Sequence, residues 1–172
     1  MVVCWLAQVV FGFGVTVVPG GFEATEAPSA NSFPFTAGIN RYQQVYLASS
    51  FDNPTQPIQI DSIAFRQDAG ESTTLSVSIL DLEIRLSTTT VTPVTLSTTF
   101  AANIGGDEFL VHDGPRTLTS SNTLLGNGTK PFDIVIPLSS PFLYDPNNGN
   151  LLLDITTNPK EAFSDQAASL TI

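Results

Sequence analysis

Arg41-Tyr42-Gln43-Gln44-Val45-Tyr46-Leu47-Ala48-Ser49-Ser50-Phe51 and Asp145-Pro146-Asn147-Asn148-Gly149-Asn150-Leu151-Leu152-Leu153-Asp154-Ile155 are the two stretches on which the fold turns. In the first, Val45, Leu47 and Phe51 share one side of an extended chain and Tyr42, Gln44 and Tyr46 the other, because successive side chains of a strand point to opposite faces. The second is a turn-rich hexapeptide running into an unbroken apolar run, the pattern of a central strand buried on both faces.

The chain between them keeps the same character. Asp52-Asn53-Pro54 predicts a turn, after which Ile58, Ile60, Ile63 and Phe65 follow with the alternation slipping one place at Asp61 and Ser62, as a bulge or a strand changing sheets would produce. From Ser72 to Ser87, Leu75, Val77 and Ile79 set one parity and Leu80, Leu82, Ile84 and Leu86 the other, predicting one long bent strand or two short ones. Thr92-Pro93 starts a turn before Leu96 to Phe100. Phe109 to His112 is expected to pair with Arg116 to Ser120 through an Asp113-Gly114 hairpin turn. Phe132, Ile134, Ile136 and Leu138 alternate cleanly, and Phe142 and Tyr144 lead into the Asp145 turn. About eight to ten short strands with no helix-length apolar pattern between them predict an all-β fold, an antiparallel β-sandwich of jelly-roll-like type.

Composition agrees. Lys and Glu, which decorate helices, are scarce, and 172 residues are enough for one domain with an ordinary core. Six basic residues stand against sixteen acidic ones, a net charge of −10. That surface repels phosphate backbones and lacks a basic stripe, so nucleic acid is not an expected partner. Cys4 is the only cysteine, which leaves no intramolecular disulfide and no thiolate metal cluster. Residues 1–21 form an apolar segment resembling an export signal but without a basic n-region, and a marginal membrane anchor or a packed native strand are the other readings. Residues 22–37 read as a linker, 38–157 as the β-sandwich, and 158–172 as a polar tail or edge strand.

Six pieces, in order, are similar to the domain of a large group of secreted bacterial proteins that carry a C-terminal PEP-CTERM sorting signal. They are Asn31-Ser32-Phe33-Pro34-Phe35, the Arg41 to Phe51 block, Ile63-Ala64-Phe65-Arg66, Leu86-Ser87-Thr88-Thr89, Asn103-Ile104-Gly105, and Pro141 to Asp154. The resemblance implies an exported protein of the cell surface or the extracellular polysaccharide matrix, with a structural or adhesive role and no catalysis. The family's closing strands, Pro-Glu-Pro tripeptide, apolar helix and basic tail do not follow here, and a gene fragment or frameshift would explain this together with the missing basic n-region.

Four constellations bear on chemistry. His112 is the only residue that can shuttle a proton in a hydrolytic triad; Asp113, Asp107 and Glu108 are near it, but no nucleophile-elbow motif is present. Asp81 and Glu83 lie two apart and so share a strand face with Arg85, which suits an exposed polar row or the paired carboxylates of a glycoside hydrolase. Asp145, Asn147 and Asn148 offer oxygen ligands around Gly149, a weak calcium site or simply a turn held by Asx hydrogen bonds. No other cofactor is indicated. Arg41, Tyr42, Gln44 and Tyr46 are a candidate sugar-binding face, with rings to stack on pyranose and amides to bond hydroxyls, or else inter-strand partners. This makes a carbohydrate-binding module the alternative function. Asn127-Gly128-Thr129 matches a glycosylation sequon and is expected to be a loop.

Overall fold

A computed structural model describes residues 6–11, 14–26, 35, 41–51, 56–157 and 170–171. The Asp52-Asn53-Pro54 turn, Cys4, most of the linker and most of the tail lie outside the described residues.

Among the described residues the alternating patterns become nine antiparallel strands: β1 (Leu6–Phe11), β2 (Gly14–Val18), β3 (Arg41–Tyr46), β4 (Ile58–Gln67), β5 (Leu75–Thr89), β6 (Phe109–Ser120), β7 (Ile134–Tyr144), β8 (Asn150–Thr157) and β9 (Leu170–Thr171). They form two sheets, one ordered β2-β1-β4-β7 with β9 on β4, the other β3-β8-β5-β6. From β3 onward the chain crosses between sheets at every connection except the β5–β6 hairpin, a jelly-roll-like winding. The fold is therefore an all-β sandwich. The only helical pieces among the described residues are three short 3-10 turns, at Ala48–Ser50, Phe100–Asn103 and Pro146–Asn148, and no helix is long and apolar enough to cross a membrane.

The core fills the space between the sheets. Ile60, Ile63, Phe65, Ile134, Ile136 and Tyr144 come from one sheet, and Leu82, Ile84, Leu86, Leu151, Leu153 and Ile155 from the other. β8 lies between β3 and β5 and is buried along almost its whole length, as its apolar run predicts. Both parity slips occur where the sequence puts them. The β4–β7 register shifts between Ile60 and Ser62, and the β5–β6 register between Ile79 and Leu82, so β5 is one bent strand whose inward face changes parity there. The prolines of β7, Pro137 and Pro141, sit on a sheet-edge strand, where a missing N–H costs least.

Two expectations change. Asp113-Gly114 is not a hairpin turn: β6 runs straight through it, and Gly114, at φ 126°, marks an irregularity in the pairing with β5. Asp-Gly supplies positive φ to a tight turn or to a bulge, and only the partner strand decides between them. Leu96 to Phe100 lies in the loop joining β5 to β6 and is not a strand. The described part of the apolar N-terminal segment is a β-hairpin on β4, with Ala7 opposite Ala64 and Val18 fully buried.

Candidate functional site

The second sheet carries a polar row on its outer face, beneath the loop of residues 90–108. It begins with the one acid in the apolar run of β8. Asp154 is outward because its neighbours Leu153 and Ile155 are in the core, yet it is only 3% exposed. Register places Gln43 of β3 on one side of it and Arg85 of β5 on the other.

A buried carboxylate requires donors, and three reach it. Arg41 donates through Nε at 3.0 Å and Nη2 at 2.5 Å, a two-pronged ion pair, and Gln43 donates through Nε2 at 2.6 Å. The hydrogen bond to Asp154 holds the Arg41 guanidinium above its ordinary pKa, against some desolvation. The loop then closes over the row. The Arg41 guanidinium lies 5.1 Å from the centre of the Phe100 ring, and Gln43 Nε2 also donates to the Phe100 carbonyl at 3.2 Å. Buried Asn103 donates to Gln43 Oε1 at 2.8 Å and to the Ser97 carbonyl at 2.9 Å, and its own Oδ1 accepts from the Ser97 N–H. Farther along, Gly105 N–H donates to Ser87 Oγ at 3.1 Å and Thr88 N–H to Asp107 Oδ1 at 2.6 Å.

Four of the six sequence pieces meet here: Arg41 and Gln43, Ser87 and Thr88, Asn103 and Gly105, and Asp154. A fifth contact comes from the turn after β7. Buried Tyr144 donates to the Gly149 carbonyl at 2.8 Å, and burial followed by the nearby Asp145 charge pushes its hydroxyl pKa well up. Asn150 then accepts from the Ala48 N–H at 3.0 Å and donates to the Val91 carbonyl at 2.8 Å, tying the start of β8 to both flanking loops.

The other candidates are placed as follows. Arg41 and the Tyr42/Gln44/Tyr46 set do not share a face. Tyr46 is 3% exposed and in the core, Tyr42 packs against it, and Gln44 pairs with core Leu153. The aromatic side of β3 is thus the inward side, and the Tyr46 ring cannot stack on a sugar. Tyr42 instead donates its hydroxyl to Gln44 Oε1.

Asp145 caps the 3-10 turn: its Oδ1 accepts from Asn147 N–H at 3.0 Å and Nδ2 at 2.9 Å, and its Oδ2 from Asn148 Nδ2 at 3.2 Å. Both carboxylate oxygens serve the turn, as an Asx cap does. His112 is 8% exposed and opposite core Ile84, and neither ring nitrogen has a partner of hydrogen-bond geometry. Burial first, then the Arg116 charge, lowers its pKa, against a small opposing pull from the Gly114 backbone and Asp113.

Asp81, Glu83 and Asp113 do come together, with carboxylate oxygens within 4.8 Å of one another on the outer face of the second sheet. Three carboxylates so placed offer oxygen ligands to a hard cation. Arg85 pairs with Glu83 on the same row, and the hydrogen bond to Glu83 raises the Arg85 pKa.

Sequence reasoning did not single out Gln43, Asn103 or Asp154. Asp154 carried a signal of its own, since an acid inside an otherwise apolar central strand needs a cation, and the chain has only six.

Comparison of the chain with protein-family models, curated proteins and solved structures finds no match.

Proposed function

We propose that the chain is a non-catalytic structural or adhesive β-sandwich exported to the cell surface or the extracellular polysaccharide matrix. One observation carries the reading: the polar residues that mark the sequence are engaged in holding the sandwich and its 90–108 loop together. Arg41, Gln43, Asn103 and Asp154 satisfy one another, and Asp145 caps its own turn. The location rests on the PEP-CTERM resemblance and on the acidic surface, which suits solubility outside the cell. Export does not require residues 6–18 to be the leader.

A carbohydrate-binding module remains the alternative on the same export route, but through a face other than Tyr42/Gln44/Tyr46. Two measurements test the proposal together. The full chain fused to a phosphatase that folds only outside the cytoplasm should give an active fusion in a bacterial host, and cytoplasmic retention would remove the export claim. Purified protein on a glycan array separates the two roles: dose-dependent binding to a defined saccharide would replace the structural reading with the carbohydrate one.

A further inference from the structure

An unbroken uncharged run extends from Leu86 to Gly106, across most of the connection between β5 and β6, in a chain whose net charge is −10. Thr90, Thr92, Thr95, Ser97, Thr98 and Thr99 stand in it around Pro93. No strand ladder holds residues 90–99, and most of them are exposed. Val94 is 87% exposed and Phe100 38%. Charge, the usual means of keeping such a surface in water, is absent from it. Ser and Thr packed densely around a proline are the composition of O-glycosylated segments.

The fold sorts these hydroxyls into two kinds. Thr92 and Thr95 have their Oγ1 atoms 2.9 Å apart, and Thr95 Oγ1 accepts from the Thr92 N–H at 2.9 Å. Ser97 Oγ accepts from the Thr99 N–H at 3.1 Å. Those three close the turns of the loop. Thr98 and Thr99 are exposed, and neither hydroxyl makes a hydrogen bond among the described residues. Thr99 stands at the N-cap of the Phe100–Asn103 turn, where a hydroxyl ordinarily bonds the free N–H groups, yet its side chain makes no cap bond. Its main chain is held all the same, by its N–H on Ser97 and by its carbonyl, which accepts from the Ala102 N–H at 2.9 Å. The turn ends at buried Asn103, hydrogen-bonded to Ser97 and Gln43. Two adjacent hydroxyls are thus presented to solvent on a fixed backbone, about midway between the two strands. Thr90, also exposed, is set against the end of β5 by the bonds of Val91 to Thr89 and Asn150.

We propose that Thr98 and Thr99 are attachment sites for O-linked sugar. The donor is a sugar carried on a diphosphate, either nucleotide or lipid, and a transferase brings the two together. The threonine Oγ attacks the anomeric carbon, so that the Oγ–C1 bond forms as the bond from C1 to the diphosphate oxygen breaks. The electron pair leaves with the diphosphate, the hydroxyl proton passes to a carboxylate of the transferase, and no oxidation state changes. Electrostatics favours a sugar over a phosphate here. No Lys or Arg occurs between Arg85 and Arg116, whereas Asp107 and Glu108 lie in the same connection. The Arg41 guanidinium beside the Phe100 ring is already paired with Asp154. A phosphothreonine would therefore add to a surplus of negative charge without a free cation to receive it. A glycan instead supplies neutral hydroxyls next to Val94 and Phe100. Such a loop suits a protein of the extracellular polysaccharide matrix, and its assignment rests on that reading.

Trypsin cuts after Arg85 and Arg116 and nowhere between them, so residues 86–116 are released as one peptide whose mass reads the modification. The full chain is taken from the cells that naturally make it, separated into exported and cytoplasmic pools. The peptide from the exported pool should be heavier than its sequence by whole sugar residues. Alkaline β-elimination should remove the added mass, and electron-transfer fragmentation should place it on Thr98 or Thr99. A Thr98→Val, Thr99→Val double variant should return the peptide to its sequence mass with the circular dichroism of the parent, while Thr95→Val keeps the sugar. Sugar on both pools supports the proposal with a nucleotide carrier, and sugar confined to the exported pool supports it with a lipid carrier. An unmodified peptide from exported protein overturns the proposal and leaves the export reading standing. An unmodified peptide from protein found only in the cytoplasm overturns both. Added mass equal to phosphate, or sugar mapped to Thr92 or Thr95, also overturns it.

Discussion

Gly105 sits where no other residue fits. A Cβ built on it would lie 1.8 Å from the Thr88 carbonyl oxygen and 2.7 Å from its carbon, both backbone atoms of a paired strand that cannot move aside. Gly105→Ala is therefore expected to destabilise the protein by about 2–3 kcal/mol or more, by forcing the 90–108 loop off β5. Urea unfolding is the measurement, and a midpoint unchanged from the parent would show that the loop does not pack there. His112 makes a second prediction at this scale. Its folded-state pKa lies below the unfolded value of about 6.5, so the folded protein holds it neutral while the unfolded chain takes up a proton. The stability from this site is complete above roughly pH 6.5 and is lost as pH falls from there through the folded-state pKa. In His112→Leu the difference in unfolding free energy between about pH 7 and pH 5 should be smaller than in the parent, and identical pH slopes for the two proteins would refute the assignment.

The elements explain which parts of the design could be read in advance. A slip in period-2 alternation needs only neighbours in sequence, so the irregularities at 61–62 in β4 and at 80 in β5 were visible in the chain. Which face of β3 turns inward was not, because both parities carry large residues and the choice depends on the register with β8, more than a hundred residues away. The Arg41–Asp154 pair is hidden for the same reason, although each partner is individually conspicuous. The pair also makes an element-scale prediction. Arg41 is 34% exposed and Asp154 3%, so solvent screens one end and the carboxylate depends on its donors. A double-mutant cycle of Arg41→Ala and Asp154→Ala in urea unfolding should give a coupling energy of about 1–2 kcal/mol. Arg41→Ala alone should be the costlier way to lose the pair than the double variant implies, since it strands a buried charge with Gln43 as its remaining side-chain donor. Additivity of the two single variants would mean that β3 is held to β8 by its ladder alone.

At the scale of the molecule, the sandwich is closed along one side and depends on added strands along the other. β6 and β7 lie against each other where the two sheets meet, with Arg116 of β6 donating to the Val135 carbonyl of β7 at 3.0 Å. On the opposite side of β4 its partners are β1, through Ala7 opposite Ala64, and the two residues of β9. The β1–β2 hairpin therefore decides whether β4 presents a covered or an open edge, and Val18, fully buried, belongs to the same core as Ile60 and Ile63. An open strand edge is a template for pairing with another chain. Deleting residues 1–21 should lower the thermal midpoint and produce concentration-dependent association, detected by sedimentation velocity, because the deletion removes both the edge partner of β4 and part of the core. A truncated protein that is as stable as the full chain and stays monomeric would mean that the hairpin is dispensable, as expected of a segment removed during export. The experiment thus separates the two readings of this segment by a physical property of the sheet.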